Sequence, residues 1–140
     1  MDPPRERYYR GLFLVAAIYD VSLGIVFTLF YQPAFEMLDV VPPEGGYIPL
    51  LGSFLFVIGV AYYLIWRGDL RRNRDLILVG TLYKLAYASI ALLFWAIGEV
   101  PHVTFAAVFG LADVAFFVLM LECWLYLGRQ HQTGAEGAIT

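Results

Sequence analysis

Four long apolar stretches, separated by short polar segments, dominate the hydrophobic pattern of the chain. They cover residues 11–30, 47–66, 76–98 and 105–127. Each is about 20 residues long, which is the length that a helix needs to cross the hydrocarbon core of a bilayer. None shows a sustained two-residue alternation, which argues against a transmembrane β-barrel. Because only a helix satisfies its own backbone groups in lipid, the pattern predicts an all-α, polytopic four-helix bundle.

The remaining segments are short compared with these spans. We predict one membrane domain over residues 1–128 and a flexible cytoplasmic tail over residues 129–140, which lacks a packing pattern. The 31–46 connection is rich in the turn-forming residues Pro and Gly. Within it, the sequence AFEML (residues 34–38) predicts a short interfacial helix whose apolar side chains face lipid: Phe35, Met37 and Leu38.

Composition changes this picture only by excluding other classes of protein. Apolar residues make up 61% of the chain and charged residues 15%. A soluble domain has roughly 25% charged residues. The single cysteine also excludes a disulfide-rich scaffold. Bilayer lipid is therefore the expected partner of most of the surface.

The distribution of basic residues predicts the orientation of the bundle. Eight of the nine Lys and Arg residues fall in the N-terminal segment, the 67–75 loop and the tail, whereas the 31–46 and 99–104 loops have none. By the positive-inside rule both termini lie in the cytoplasm, which predicts a multi-pass protein of a cytoplasmic (inner) membrane. This topology, together with attraction to anionic lipid, explains the arginines of the 67–75 loop, so we predict no nucleic-acid binding.

Three charged residues lie inside the spans, where lipid disfavours them. Asp20 and Asp113 fall in the first and fourth spans, and Lys84 falls in the third. Each costs roughly 2.5–3.5 kcal/mol if it faces lipid unpaired. We therefore predict an inward-facing ion pair and leave open whether Lys84 pairs with Asp113, with Asp20 or with both. Because one lysine cannot neutralise two carboxylates, one aspartate is able to hold a proton if all three side chains are close.

Small residues and tyrosines accompany these charges at helical spacing. The small residues indicate close helix packing: Ala16, Ala17, Gly24, Gly80, Thr81, Ala88, Ala91, Ala106 and Gly110. Phe117 is predicted to share the face of Asp113. In the second span we place four residues on the inward side: Gly52, Ser53, Gly59 and Tyr63. Tyrosines are expected to cap the polar centre: Tyr19, Tyr62, Tyr83 or Tyr87. The candidate ligand- or proton-binding residues are Asp20, Lys84, Asp113, Tyr19, Tyr83 and Tyr87. Glu122 is placed at the membrane interface instead.

Motifs for enzymatic chemistry are missing from the sequence. It contains no CxxC pair, nucleophile elbow, phosphate-binding loop or HExxH motif, and its two histidines lie outside the spans. We therefore predict no metal and no cofactor. We do not expect this chain to be an enzyme by itself.

The layout of the chain resembles that of a group of small bacterial membrane proteins. Gly24 lies in the first span, an outer loop with prolines follows, and Gly52 and Gly59 lie in the second span. An Arg-rich inner loop and a second hairpin complete the pattern. Over residues 8–128 this arrangement resembles the DoxX-like four-helix proteins. Some members of that group are membrane subunits of oxidoreductase complexes, so the resemblance implies an accessory role.

Three functional hypotheses follow from these observations. The first is a protein that binds or transports a proton, an ion or a small amphipathic ligand at the intramembrane charges, because such residues are functional by default. The second is an accessory or structural subunit of a larger membrane complex, in which the same charges form a structural ion pair. The third and weakest is an enzyme that acts on a lipophilic substrate. A homodimer is plausible if the protein transports, since four spans are few for a substrate path.

Overall fold

Four long helices carry the four apolar stretches. The computed structural model describes residues 3–136 of the chain and the side chains of residues 3–130. The long helices are α1 (Pro3–Leu29), α3 (Tyr47–Arg67), α4 (Arg74–Ala96) and α6 (Asp113–Glu136). The shorter elements are α2 (Tyr31–Glu36), α5 (Val103–Phe105) and a π-helical segment (Ala106–Ala112). Helices α1, α3 and α4, and the continuous helical segment Val103–Gln130 that includes α5, the π-helical turn and most of α6, are long and apolar enough to span a membrane. The predicted all-α four-helix membrane bundle is therefore confirmed.

Two of the helices extend beyond the apolar residues. α1 begins at Pro3, where the Glu6 carboxylate accepts a hydrogen bond from Arg10 Nε at 3.0 Å in an i,i+4 ion pair. α6 continues as helix to Glu136, well past the end predicted at residue 127. Residues 129–136 therefore continue the helix, and residues 137–140 of the predicted tail lie outside the described residues. The flexibility of the tail stays a prediction.

Contacts at the helix ends establish an up-and-down arrangement. At one end, Arg10 near the start of α1 donates to the Trp66 carbonyl near the end of α3 at 2.6 Å. At the same end, the Arg74 guanidinium at the start of α4 lies 4.5 Å from the Trp124 ring centre on α6. We call this the basic end, because it carries the 67–75 connection. Both described chain ends lie there, as the charge pattern predicts.

The opposite end, which we call the acidic end, carries four acidic residues in its connections: Glu36, Asp39, Glu44 and Glu99. Here the predicted lipid-facing helix over 34–38 is wrong in two respects. α2 begins earlier, at Tyr31, and Phe35 is only 3% exposed. Its ring packs against Phe27 and Phe105, with ring centres 6.3 and 5.3 Å away, so an aromatic cluster rather than lipid covers it. Met37 is exposed, as predicted.

The Arg-rich connection at the basic end is held by its own aspartate. Asp69 Oδ1 accepts a hydrogen bond from the Arg72 backbone N–H at 3.0 Å. That hydrogen bond holds the pKa of the Asp69 carboxyl below its usual value. Asn73 donates from its side chain to the Asp69 carbonyl at 2.9 Å, which closes the turn. Asp69 therefore shapes the loop through the backbone, while the guanidinium groups of Arg71 and Arg72 remain on the surface.

Glycines bring the backbones of α1 and α3 into direct contact. A Cβ atom on Gly59 would lie 2.6 Å from the Val21 backbone nitrogen, and one on Gly24 would lie 2.5 Å from that of Phe56. No side chain fits at these positions, so the close approach depends on glycine. The predicted inward side of the second span is wrong for Ser53 and Tyr63, which are exposed. Tyr62, one of the tyrosines expected at the polar centre, is buried, because it follows Gly59 at the i+3 spacing of the packed face.

Two apolar clusters fill the bundle above and below the level of the predicted charges. Toward the basic end the core is built from large side chains, including Phe13, Ile65, Ile77, Met120 and Leu127. Toward the acidic end it is mainly aromatic and includes Phe27, Phe35, Leu55 and Phe109. The charged residues lie between these clusters and are separated by them from the aqueous ends.

Candidate functional site: a buried Asp–Lys–Asp cluster

The three intramembrane charges meet at one point. Lys84 Nζ donates hydrogen bonds to Asp20 Oδ1 at 2.7 Å and to Asp113 Oδ1 at 2.9 Å. None of the three residues is more than 1% exposed. The sequence leaves open which aspartate pairs with Lys84, and the structure shows that both do. We call these three residues the charge cluster.

Each member of the charge cluster comes from a different helix, and small residues hold the helices close enough to meet. Asp20 lies on α1, where the α3 backbone approaches so closely that a Cβ on Gly59 would lie 3.1 Å from the Asp20 carbonyl carbon. On α4, Gly80, Thr81 and Ala88 are buried beside Lys84. The inward-facing surfaces predicted for these residues are therefore confirmed. The cluster links α1, α4 and α6 through a single ammonium group.

A π-helical turn precedes Asp113 and was missed by the sequence prediction, which treats residues 105–127 as regular helix. The segment Ala106–Ala112 is π-helical, and α6 begins at Asp113 itself. Tyr19 on α1 donates from its hydroxyl to the Val108 carbonyl in this segment at 2.7 Å. A side chain that bonds into the backbone ladder is a recognised cause of such irregularities, and π-turns are frequent at functional sites. No residue type in the segment predicts the π-helical turn.

Aromatic rings enclose the Lys84 ammonium. The ring centres of Tyr19 and Phe116 each lie 5.1 Å from Lys84 Nζ, and those of Tyr62 and Tyr83 lie 5.8 and 6.0 Å away. These distances allow cation–π attraction. Three of the predicted capping tyrosines therefore surround the cation. Phe116 joins them because it lies at i+3 from Asp113, whereas the sequence pattern predicts its neighbour Phe117 on that face.

Tyr87 occupies a second layer rather than the shell around the ammonium. Its ring packs against that of Tyr83 in a tilted arrangement, with the ring centres 4.6 Å apart. Tyr62 is held in place by a hydrogen bond from its hydroxyl to the Gly80 carbonyl at 2.9 Å. The hydroxyl of Tyr83 is also buried, beside the hydroxyl of Tyr87. The rings of Tyr83 and Tyr87 therefore form two successive aromatic layers outside the Lys84 ammonium.

Hydrogen bonding within the cluster is incomplete. The second carboxylate oxygens, Asp20 Oδ2 and Asp113 Oδ2, are both buried and have no hydrogen-bond partner. With both carboxyl groups ionised, two negative charges share one positive charge in an apolar interior. Buried polar atoms are normally satisfied, and each one left unpaired costs about 1–3 kcal/mol. The arrangement therefore has the capacity to accept one positive charge or one proton.

Glu122 does not belong to this cluster. Its side chain is exposed near the basic end and accepts a hydrogen bond from the Tyr9 hydroxyl at 3.1 Å. This position agrees with its predicted place at the membrane interface. The neighbouring Cys123 is buried and unpaired.

Comparison with known proteins gives no relative from which a function can be inferred. No protein-family model, curated protein or solved structure matches the chain. The resemblance to the DoxX-like proteins therefore stays a prediction based on layout.

Proposed function

We propose that this protein binds and releases a proton at the Asp20–Lys84–Asp113 cluster, as part of proton-coupled ligand binding or transport across the membrane. The observation that carries the proposal is the excess of carboxylates. Two aspartates share one lysine in a fully enclosed site, and each retains an oxygen without a hydrogen-bond partner.

Charge balance supports proton binding. An unpaired charge near the centre of a bilayer costs roughly 2.5–3.5 kcal/mol on insertion scales. A proton on one carboxyl group removes the excess negative charge while Lys84 keeps its pair with the other. It also turns one unpartnered oxygen into a hydroxyl donor. The cluster therefore changes between a net negative and a neutral form with a single proton.

The position of the cluster gives this change a mechanical consequence. Because the Lys84 ammonium joins α1, α4 and α6, loss of one ionic contact alters the attraction between those helices. Proton binding thus favours one helix arrangement over another, which is the requirement for coupling a proton to a second ligand.

The proposed location is a cytoplasmic (inner) membrane with both termini in the cytoplasm. The arginines at the basic end support this orientation through the positive-inside rule, and the acidic end carries no Lys or Arg in its connections. A homodimer is compatible with this proposal and would provide a longer path for a transported ligand.

Infrared difference spectroscopy of the purified protein during a pH titration tests proton binding directly. We expect a protonated-carboxyl carbonyl band that grows as pH falls and that Asp20→Asn or Asp113→Asn changes. Glu122→Gln, which alters an exposed carboxylate, is the matched control and should leave that part of the spectrum unchanged.

The same titration separates the proposal from its main alternative. If neither aspartate variant changes the spectrum, the cluster is a permanent ion pair, and the proposal is wrong. In that case an accessory subunit of a larger membrane complex, as the layout resemblance implies, becomes the leading function. Co-purification of a stoichiometric partner in mild detergent would support that alternative.

A further inference from the structure

A lipid-facing groove between α3 and α4 leads toward the charge cluster. Its lining is almost wholly apolar, and its volume is about 370 Å³. The residues that line it are Leu51, Ala86, Tyr87, Ile90, Ala91 and Phe109. Ala86 and Ile90 are exposed on its edge, so the groove opens sideways to the bilayer. We call it the α3–α4 groove.

The groove extends toward the acidic end of the bundle. A second section of about 270 Å³ shares Leu51, Ala91 and Phe109 with the first. Its outer rim includes Glu99 and Pro43 from the connections at that end. Each section is close to the lower limit of ligand pockets, which hold roughly 300–1,000 Å³. Together they form a continuous apolar track from the acidic end to the middle of the bundle.

The inner end of the track lies one aromatic layer from the cluster. Tyr87 lines the groove and packs against Tyr83, whose ring centre is 6.0 Å from Lys84 Nζ. The Tyr83 hydroxyl is buried beside that of Tyr87. Two other apolar pockets on the α1–α3 side lack such a connection, because neither Tyr83 nor Tyr87 lines them.

The net charge at the two ends of this track is negative. Glu99 lies on the rim, and the acidic-end connections carry four carboxylates and no Lys or Arg. Behind the two tyrosines, the unprotonated cluster has one carboxylate more than it has ammonium groups. An apolar groove with negative charge at both ends and aromatic faces at its inner end is complementary to an apolar cation.

We infer that the α3–α4 groove binds a lipophilic organic cation. The apolar part of the ligand lies against Leu51 and Phe109, and its positive centre lies near the faces of Tyr87 and Tyr83. The ligand enters from the bilayer, where such molecules concentrate. This inference rests on the proposed function for the negative charge of the cluster. It names the class of ligand whose binding a proton on the cluster would weaken.

Binding of tetraphenylphosphonium to the purified full-length protein in detergent, measured by equilibrium dialysis, tests the inference. Tetraphenylborate, which has nearly the same shape and the opposite charge, serves as the ligand control. Ala91→Phe fills the part of the groove that both sections share, and Ala115→Phe makes the same change at an exposed position on α6. We expect Ala91→Phe to weaken phosphonium binding by about tenfold or more, a loss of about 1.4 kcal/mol. Ala115→Phe should have no effect.

The pH dependence of the same binding identifies the contribution of the cluster. Besides its three charged members, the titratable groups near the cluster are the phenols of four tyrosines: Tyr19 from α1, Tyr62 from α3, and Tyr83 and Tyr87 from α4. These phenols are uncharged near neutral pH. Phosphonium affinity should therefore fall as pH falls and a carboxyl group takes up a proton. Glu99 is the acidic residue that lines the outer section of the groove, so the Glu99→Gln variant is titrated in parallel and should retain the pH dependence.

The outcomes distinguish this inference from the proposed function. Equal binding of phosphonium and borate, or full binding by Ala91→Phe, would overturn the groove as a cation site. If the infrared titration shows proton binding but phosphonium does not bind, the proposed function stands and this inference fails. Groove-dependent phosphonium binding that is independent of pH retains the cation site but contradicts its dependence on a proton-binding cluster.

Discussion

Replacement of Lys84 by methionine is the most direct test of how the charge cluster contributes to the bundle. Methionine is close to lysine in length, so the change mainly removes the ammonium group. Lys84 Nζ is the only described donor to two carboxylates, at 2.7 and 2.9 Å, and all three side chains are at most 1% exposed. The variant therefore leaves two buried carboxyl groups without a countercharge.

The magnitude follows from the cost of an uncompensated buried charge. Removing one partner of a buried ion pair typically costs about 3–5 kcal/mol. The second carboxylate does not double this cost if one or both groups take up a proton instead of remaining charged. We therefore expect Lys84→Met to lower the free energy of unfolding by about 3–5 kcal/mol at neutral pH. The loss should be smaller at low pH, because protonation of the carboxyl groups removes the buried charge.

Reversible unfolding in mixed micelles, followed by tryptophan fluorescence, measures this change. Leu85→Met on the same helix is the control, since Leu85 is 41% exposed and its replacement should alter stability by no more than about 0.5 kcal/mol. The triple variant Lys84→Met, Asp20→Asn, Asp113→Asn removes every charge and should recover most of the loss. If the triple variant is no more stable than Lys84→Met, the loss does not come from unpaired charge, and the electrostatic reasoning is refuted.

Two further predictions concern packing and topology. Gly59→Ala places a Cβ 2.6 Å from the Val21 backbone nitrogen and should destabilise the bundle by about 1–3 kcal/mol in the same unfolding assay, whereas Gly11→Ala, with no atom within 4 Å, should be neutral or slightly stabilising. In a variant that lacks the native cysteine, an impermeant thiol reagent added to intact cells should label Val41→Cys and spare Arg72→Cys until the cells are opened. Labelling of the Arg72 position in intact cells would show that the bundle has the opposite orientation.

The spans and the inward-facing charges are already present in the sequence. Hydropathy is a property of contiguous residues, so the four apolar stretches are visible without knowledge of how the helices pack. The cost of a charge in lipid likewise depends on depth along a helix, which follows from residue number. Asp20, Lys84 and Asp113 were therefore identifiable as a buried group, together with the small residues on their faces.

The partners within that group are decided by tertiary structure. Which carboxylate reaches Lys84 depends on the rotation and separation of α1, α4 and α6, and the result is that both do. The α1–α3 contact through Gly24 and Gly59, and the π-turn before Asp113, contribute to these positions.

Errors of the sequence prediction have the same origin. Neighbouring residues of a helix differ in direction by about 100°, so Tyr62 and Tyr63 do not share the buried face, and Tyr63 is exposed. Phe35 is buried because rings from other helices surround it, which its own segment cannot reveal. The sequence determines which residues lipid excludes from its surface, because exclusion depends on each residue and its depth. Only the packed helices decide what those residues touch, because contact depends on distances between segments far apart in the chain.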